Sequence, residues 1–449
     1  MKNKSAYFKI NLAVIFIIAL VFFALFCLRF FCVQTVLIDF AERRLLHRGL
    51  NHELWLSRFN YVSSFSFLIP VVFASLLMKA FSFFFANRVK DSFLNLLRCV
   101  ACLMVYCLHV AIFTNNCAGG QIFDKAYMKV FQTPAWGGVW IFFILSGYLA
   151  GKGFFDGRYV LEKKSIFLYY KKKFIKVLVP TFAFILLCCV LVYPEFVKDN
   201  PEFLFRLFTF SYNGRPGADG ISAAWYVFTL VPLYLLTPLF CFIVLKAEKK
   251  RLVCALISAL IIVGFLYRFF AVKCGFDWFN MVYTPFFANI DLFFSGICIS
   301  YLAKSLSDKR IHGVLFKDFS LFLLFVFILL NSVVFFMKFY IYAIVFPTIY
   351  LLLVGGCLLV FSDEKWRTCD SPLEKALSIF SSISFEFYLF HSLILHTFST
   401  AFNENNIVVL HFKLLFTGFI LTFIFAQGFH KIFASQVSRV DVKCDRSEG

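Results

Sequence analysis

The chain has 449 residues, of which 61% are hydrophobic and 15% charged, with 68 phenylalanines and a mean hydropathy of +0.83. Soluble domains run nearer to about 45–50% apolar and about 25% charged, so these proportions exclude a soluble enzyme and a disordered chain, and describe a polytopic membrane protein. The formal net charge of +19 would point to nucleic acid in a soluble protein; here it fits Lys and Arg gathered on one side of a bilayer, and no nucleic-acid partner is expected.

From the N-terminus, a basic start with Lys2, Lys4 and Lys9 leads into an apolar run over 11–33. The run outlasts the apolar region of a secretory signal and lacks a small-residue cleavage site, so it reads as an uncleaved first span. The segment 34–60 sets Arg43, Arg44, Arg48 and Arg58 beside Asp39, Glu42 and Glu53 among apolar residues, which suits an amphipathic helix on the membrane surface. Further apolar runs over 62–85, 92–116, 135–152, 174–194, 222–245, 252–272, 281–303, 318–337, 339–361, 377–398 and 407–429 complete an all-α fold of about 12 spans. With both termini placed in the cytoplasm, the inward segments hold more than twice as many Lys and Arg as the outward ones. Eight of them fall in the inward segment 152–176: Lys152, Arg158, Lys163, Lys164, Lys171, Lys172, Lys173 and Lys176. The 15 cysteines lie mostly inside apolar runs, and the one CxxC, Cys99 to Cys102, has no matching pair at zinc spacing; neither a disulfide framework nor a metal site is expected.

Charged and titratable residues inside spans are costly and therefore candidates for function. They are Lys79, Arg98, His109, Arg268, Asp291, Glu386, His391, His396, His411 and Lys413. Arg98 and His109 are separated by three helical turns plus about 20°, on one face and about 16 Å apart along the axis. A histidine there is either a base acting on a substrate hydroxyl or a group hydrogen-bonded to a neighbouring helix. On a second helix, Ser384, Tyr388 and His391 share a face at spacings of 4 and 7, with His391 at the depth of His109; this is either a site or a polar seam between helices. Glu386 stands about 200° round from Ser384 and is expected to face elsewhere.

These residues resemble a known family. LLRCVACLMVYCLHV carries Arg98, Ala101, Val105 and His109; GGVWIFFILSGYL carries Gly138, Val139, Phe142, Phe143, Ser146 and Gly147; YYKKKFIKVLVP is a basic stretch ending in Pro180. Trp225, Tyr234 and Pro238 follow at spacings of nine and thirteen from the tryptophan, then DLFFSG ending at Gly296, then SISFEFYLFH with Ser384, Tyr388 and His391. In this order the motifs resemble the acyltransferase-3 family of bacterial integral-membrane acyltransferases. Trp140 replaces the Asp common in the second motif, and Leu230 and Pro232 stand where the family often has Glu and Gln, as in a branch without that acidic pair.

The resemblance implies a division into a two-span N-terminal extension (1–90), an acyltransferase membrane domain of about ten helices (91–430) and a short cytoplasmic tail (431–449). It implies an O-acyltransferase in the bacterial inner membrane, moving an acyl group, usually acetyl, from acetyl-CoA to a hydroxyl of a cell-surface glycan or lipid-linked saccharide, without a metal. His109 would then be the general base or a transient acyl carrier. Arg98, Ser146, Lys171, Lys172, Lys173 and Lys176 would bind the donor or orient the core, and Trp225, Tyr234, Ser384, Tyr388 and His391 would shape the pocket. Positive-inside topology alone is an equal explanation of the lysines. A twelve-span transporter or flippase is the alternative, suggested by Arg268, Asp291 and Glu386 but lacking a repeat between the halves.

Overall fold

The computed structural model describes residues 92–117, 126–191, 198–209, 219–306, 324, 339–361, 372–401 and 407–445. The expected spans 11–33, 62–85 and nearly all of 318–337, the amphipathic segment 34–60 and Lys79 lie outside the described residues. The chain divides into two compact units, 1–87 with 312–334, and 88–311 with 335–449. Everything below concerns the second.

The fold is all-helical. Among the described residues eight helices are long and apolar enough to cross a membrane, and a ninth is added by a pair bent through 67° at Ile383. Helix α1 is Ser92–Cys117 and α2 is Ala126–Phe155. Helix α3 (Lys163–Lys173) runs through a π-helical turn, Phe174–Leu178, into α4 (Val179–Leu191). The short α5 is Pro201–Phe208; a 3-10 turn, Asp219–Ala224, opens α6 (Trp225–Ala247), and α7 is Lys250–Lys273. A π turn, Trp278–Tyr283, precedes α8 (Phe286–Leu306), followed by α9 (Phe339–Val360). Helices α10 (Pro372–Ser382) and α11 (Ser384–Ala401) form the bent pair. Finally α12 (Ile407–Lys413) passes through a π turn, Leu414–Gly418, into α13 (Phe419–Asp445).

The basic segment expected as a loop is corrected here. Lys163–Val190 is one continuous helical span in which α3 carries the lysines. Lys is a good helix former, and its long stem lets the charged end of a span extend beyond the apolar layer.

Helices α2 and α8 form the centre, most residues in the apolar stretches of Trp136–Phe155 and Trp278–Leu306 being buried, whereas few in Lys250–Lys273 are, and that helix is peripheral. With no hydrophobic drive between helices in lipid, close packing has to come from small residues. A Cβ added at Gly147 would lie 1.8 Å from the Phe293 carbonyl oxygen, and one at Gly296 2.4 Å from that of Ile144. The glycines of two separate sequence motifs are thus one backbone-to-backbone crossing. Gly138 serves α1 and α2 in the same way, its added Cβ lying 2.7 Å from the Ala101 oxygen. The π turn at Leu414–Gly418 leaves carbonyls outside the regular ladder. The Tyr106 hydroxyl of α1 donates to two of them, Leu414 at 2.8 Å and Leu415 at 3.0 Å.

Candidate active site

A cavity of about 660 Å³ opens among α1, α2, α3, α4, α6, α10, α11 and α13. From the helical span around the π turn come Tyr169, Lys172, Lys173, Lys176 and Pro180. At 3, 4, 7 and 11 from Tyr169 these lie close to one helical stripe, and Ile175 and Val177 of the π turn reach the cavity beside it. Lys171 is off that stripe and does not line the cavity. Arg158, in the connection after α2, and Arg98 add further positive charge to the wall. Lys173 Nζ also lies 4.0 Å from the ring centroid of Tyr234, a cation–π contact that fixes one lysine against α6. Arg98 Nη1 donates to the Ser381 hydroxyl at 3.5 Å, and that hydroxyl donates to Asn95 at 2.9 Å, tying α1 to the end of α10.

The opposite wall is aromatic. Phe142, Tyr226 and Tyr388 meet ring against ring, with Tyr226 and Tyr388 centroids 5.4 Å apart. The Ser146 and Tyr226 hydroxyls are 3.2 Å apart and both face the cavity. In such a pair one hydroxyl donates to the other, and the receiving hydroxyl keeps its own hydrogen for a ligand.

His109 and His391 do not line this cavity. They stand behind Tyr388, whose ring centroid is 5.5 Å from that of His391. The two imidazoles meet edge to face at 4.6 Å, with His109 Nδ1 3.2 Å from His391 Nε2. Backbone carbonyls assign the tautomers. His391 Nδ1–H donates to the Tyr388 carbonyl, so its Nε2 is an acceptor. His109 Nδ1 is 2.9 Å from the Val105 carbonyl, so it carries a hydrogen shared between that oxygen and His391 Nε2. The lone pair of His109 is therefore on Nε2.

Of the other expected residues, Arg98, Ser146, Lys172, Lys173, Lys176, Tyr234, Ser384 and Tyr388 line the cavity. Trp225 does not; its ring packs on Phe279 and Tyr283 at 5.8 and 5.3 Å and buttresses Tyr226. Among the further lining residues are Glu386, expected to face elsewhere, and His430. The bend at Ile383 turns the first turn of α11 end-on to the cavity, so Ser384, Phe385, Glu386 and Tyr388 all reach it although they do not share one helix face. His430 Nδ1–H donates to Glu386 Oε1 at 2.8 Å across 44 residues, a separation at which no local sequence pattern gives a signal.

Arg268 and Asp291, the charges that suggested transport, satisfy each other. Both are buried, and the guanidinium makes two bonds to the carboxylate, at 3.1 and 2.7 Å, plus one to the Ala288 carbonyl at 2.7 Å. Gly264 makes room for this pair, since a Cβ there would lie 2.3 Å from Asp291 Cγ. His411 meets the Thr114 hydroxyl at 3.2 Å and His396 packs near Phe113 at 5.7 Å, both away from the cavity wall.

The family model for an acyltransferase domain, that of the acyltransferase-3 family, matches residues 91–430. The chain belongs to the acyltransferase-3 family. It is an acyltransferase embedded in a membrane, and the matched residues contain the cavity and both histidines. No curated protein and no solved structure matches the chain.

Proposed function

We propose that this acyltransferase takes an acyl group, acetyl in the first instance, from cytoplasmic acyl-CoA and places it on a hydroxyl of a cell-surface glycan or its lipid-linked precursor. The observation that carries this reading is the wall of the cavity. Arg98, Arg158, Lys172, Lys173 and Lys176 gather where a phosphate-bearing donor would enter, and the aromatic wall beyond them leads to the histidine pair. Lys and Arg are the natural partners of phosphates, and the cavity is of ordinary size for a ligand site. The positive-inside bias supports a cytoplasmic side for the lysine-bearing end and for both termini, in a bacterial inner membrane on this reading.

In the reaction the donor's acyl end passes the ring of Tyr388 to reach His109. Nε2 of His109 takes the proton of the acceptor hydroxyl as its oxygen attacks the thioester carbonyl. The oxygen of the tetrahedral intermediate accepts a hydrogen from the Ser146–Tyr226 hydroxyl pair. Collapse breaks the carbon–sulfur bond, and the proton held by His109 passes to the departing thiolate, leaving an ester and free CoA. His391 Nε2 accepts from His109 Nδ1–H throughout, and that bond strengthens when His109 is charged.

The test is transfer from labelled acetyl-CoA by purified protein in lipid nanodiscs. Label in a saccharide acceptor with equimolar release of CoA thiol is the expected result. Inserted, folded protein that releases no thiol with any of a panel of glycan and lipid-linked acceptors would overturn the CoA-donor reading.

A further inference from the structure

Among the described residues, the cavity wall holds one carboxylate beside its cations. The Glu386 side chain is 8% exposed; Oε1 receives the His430 hydrogen bond, and Oε2 is buried with no hydrogen-bond partner. A buried carboxylate oxygen without a donor is costly, and the surrounding wall does not supply one although Arg98, Arg158, Lys172, Lys173 and Lys176 all line the same space. A ligand seated against Glu386 would bring the missing donor. It is not a phosphate, which the carboxylate repels. Acyl-CoA carries both kinds of group: phosphates on its nucleotide half, and two secondary amides with N–H donors along the pantetheine arm. Glu386 is five residues before His391, about 7.5 Å along the helix axis, and so lies between the basic wall and the histidine pair, where that arm has to run.

We propose that Glu386, oriented by His430, accepts a hydrogen bond from an amide N–H of the donor's pantetheine arm. This rests on the acyl-CoA reading above. The carboxylate discriminates within the donor: it disfavours phosphate at its own position and favours the amide, setting the donor's direction in the cavity.

The experiment is calorimetric binding to the full chain in nanodiscs, with CoA and with its nucleotide half, adenosine 3′-phosphate 5′-diphosphate, which lacks the arm. A hydrogen bond to a charged group corresponds to about tenfold or more in affinity. Glu386→Ala should weaken CoA binding by about that factor, while the nucleotide half binds as tightly as to the wild type or more tightly, because an anion beside the lysines has gone. Retained nucleotide binding also reports a folded cavity. Equal fold-changes for the two ligands, or unchanged CoA affinity, would overturn the proposal. Should the alanine variant lose both ligands, Glu386→Gln decides by the same comparison, since it keeps the volume and leaves one oxygen, which His430 claims. A wild-type protein that binds neither ligand refutes the acyl-CoA reading, and this assignment with it.

Discussion

Replacing His391 by Phe separates its chemistry from its packing. The residue is 1% exposed, and its ring stacks between His109 and Tyr388 at centroid distances of 4.6 and 5.5 Å. Phe fills that space without opening a cavity but removes the acceptor Nε2 that stands 3.2 Å from His109 Nδ1. In the resting enzyme little is lost, because Nδ1–H keeps the Val105 carbonyl at 2.9 Å. The loss appears when His109 holds the acceptor's proton and the bond to His391 becomes charge-assisted, a difference of about 1.5–3 kcal/mol. At about 1.36 kcal/mol per factor of ten, kcat should fall roughly 10- to 160-fold, with the KM for acetyl-CoA changed far less. His109→Ala should cost about 10²–10⁴-fold. Since His391 acts through His109, the double variant should be no slower than His109→Ala alone. The assay is acetyl transfer at saturating donor and acceptor. A folded His391→Phe enzyme within about twofold of wild type, well below the expected loss, would refute the relay. So would a double variant slowed by the product of the two single losses.

The lysines should report on donor binding. Lys172→Gln with Lys173→Gln should raise the KM for acetyl-CoA about tenfold or more, at about 1 kcal/mol for each partly wet contact, whereas Lys171→Gln, off the cavity stripe, should not; steady-state kinetics with varied donor distinguishes them. Gly147→Ala forces a Cβ against the Phe293 backbone and should lower thermal stability by at least the about 1–3 kcal/mol of ordinary overpacking; Gly356→Ala, with nothing within 4 Å of the added Cβ, should be tolerated in the same detergent melt. Asp291→Ala strands a buried guanidinium and should destabilise by about 3–5 kcal/mol, while Arg268→Met with Asp291→Leu should recover most of that. Donor KM measured in the recovered double variant should match wild type, since the pair lies outside the cavity wall.

Much of the site was legible because helical spacing sets direction. Arg98 and His109 came from one helix and Ser384, Tyr388 and His391 from another, and the fold brings the two histidines together. The motif glycines were legible as a pattern, but only the crossing of α2 and α8 shows that Gly147 and Gly296 are the two sides of one contact. Helical periodicity turns Glu386 away from Ser384, and it does not reveal the 67° turn at Ile383 that brings the first turn of α11 end-on to the cavity. The Ser146–Tyr226 pair and the Glu386–His430 pair join residues 80 and 44 apart, and no local periodicity encodes such meetings. Apolar runs over 135–152 and 174–194 leave the basic segment between them without a structure of its own, and only the fold shows the helix starting at Lys163 and sorting Lys172, Lys173 and Lys176 from Lys171.

His109, as the proposed general base, drives acyl transfer. The most direct measurement compares O-acetylation of cell-surface glycan in cells making wild-type protein with that in cells making His109→Ala at equal membrane abundance. Removing a polar group from a span does not oppose insertion, so equal abundance is expected. Acetylation should vanish with His109→Ala and persist with His396→Ala and His411→Ala, whose side chains lie away from the cavity wall and the histidine pair. A His109→Ala protein that accumulates normally and still acylates at more than about a tenth of the wild-type rate, above the range left by loss of a general base, would contradict it.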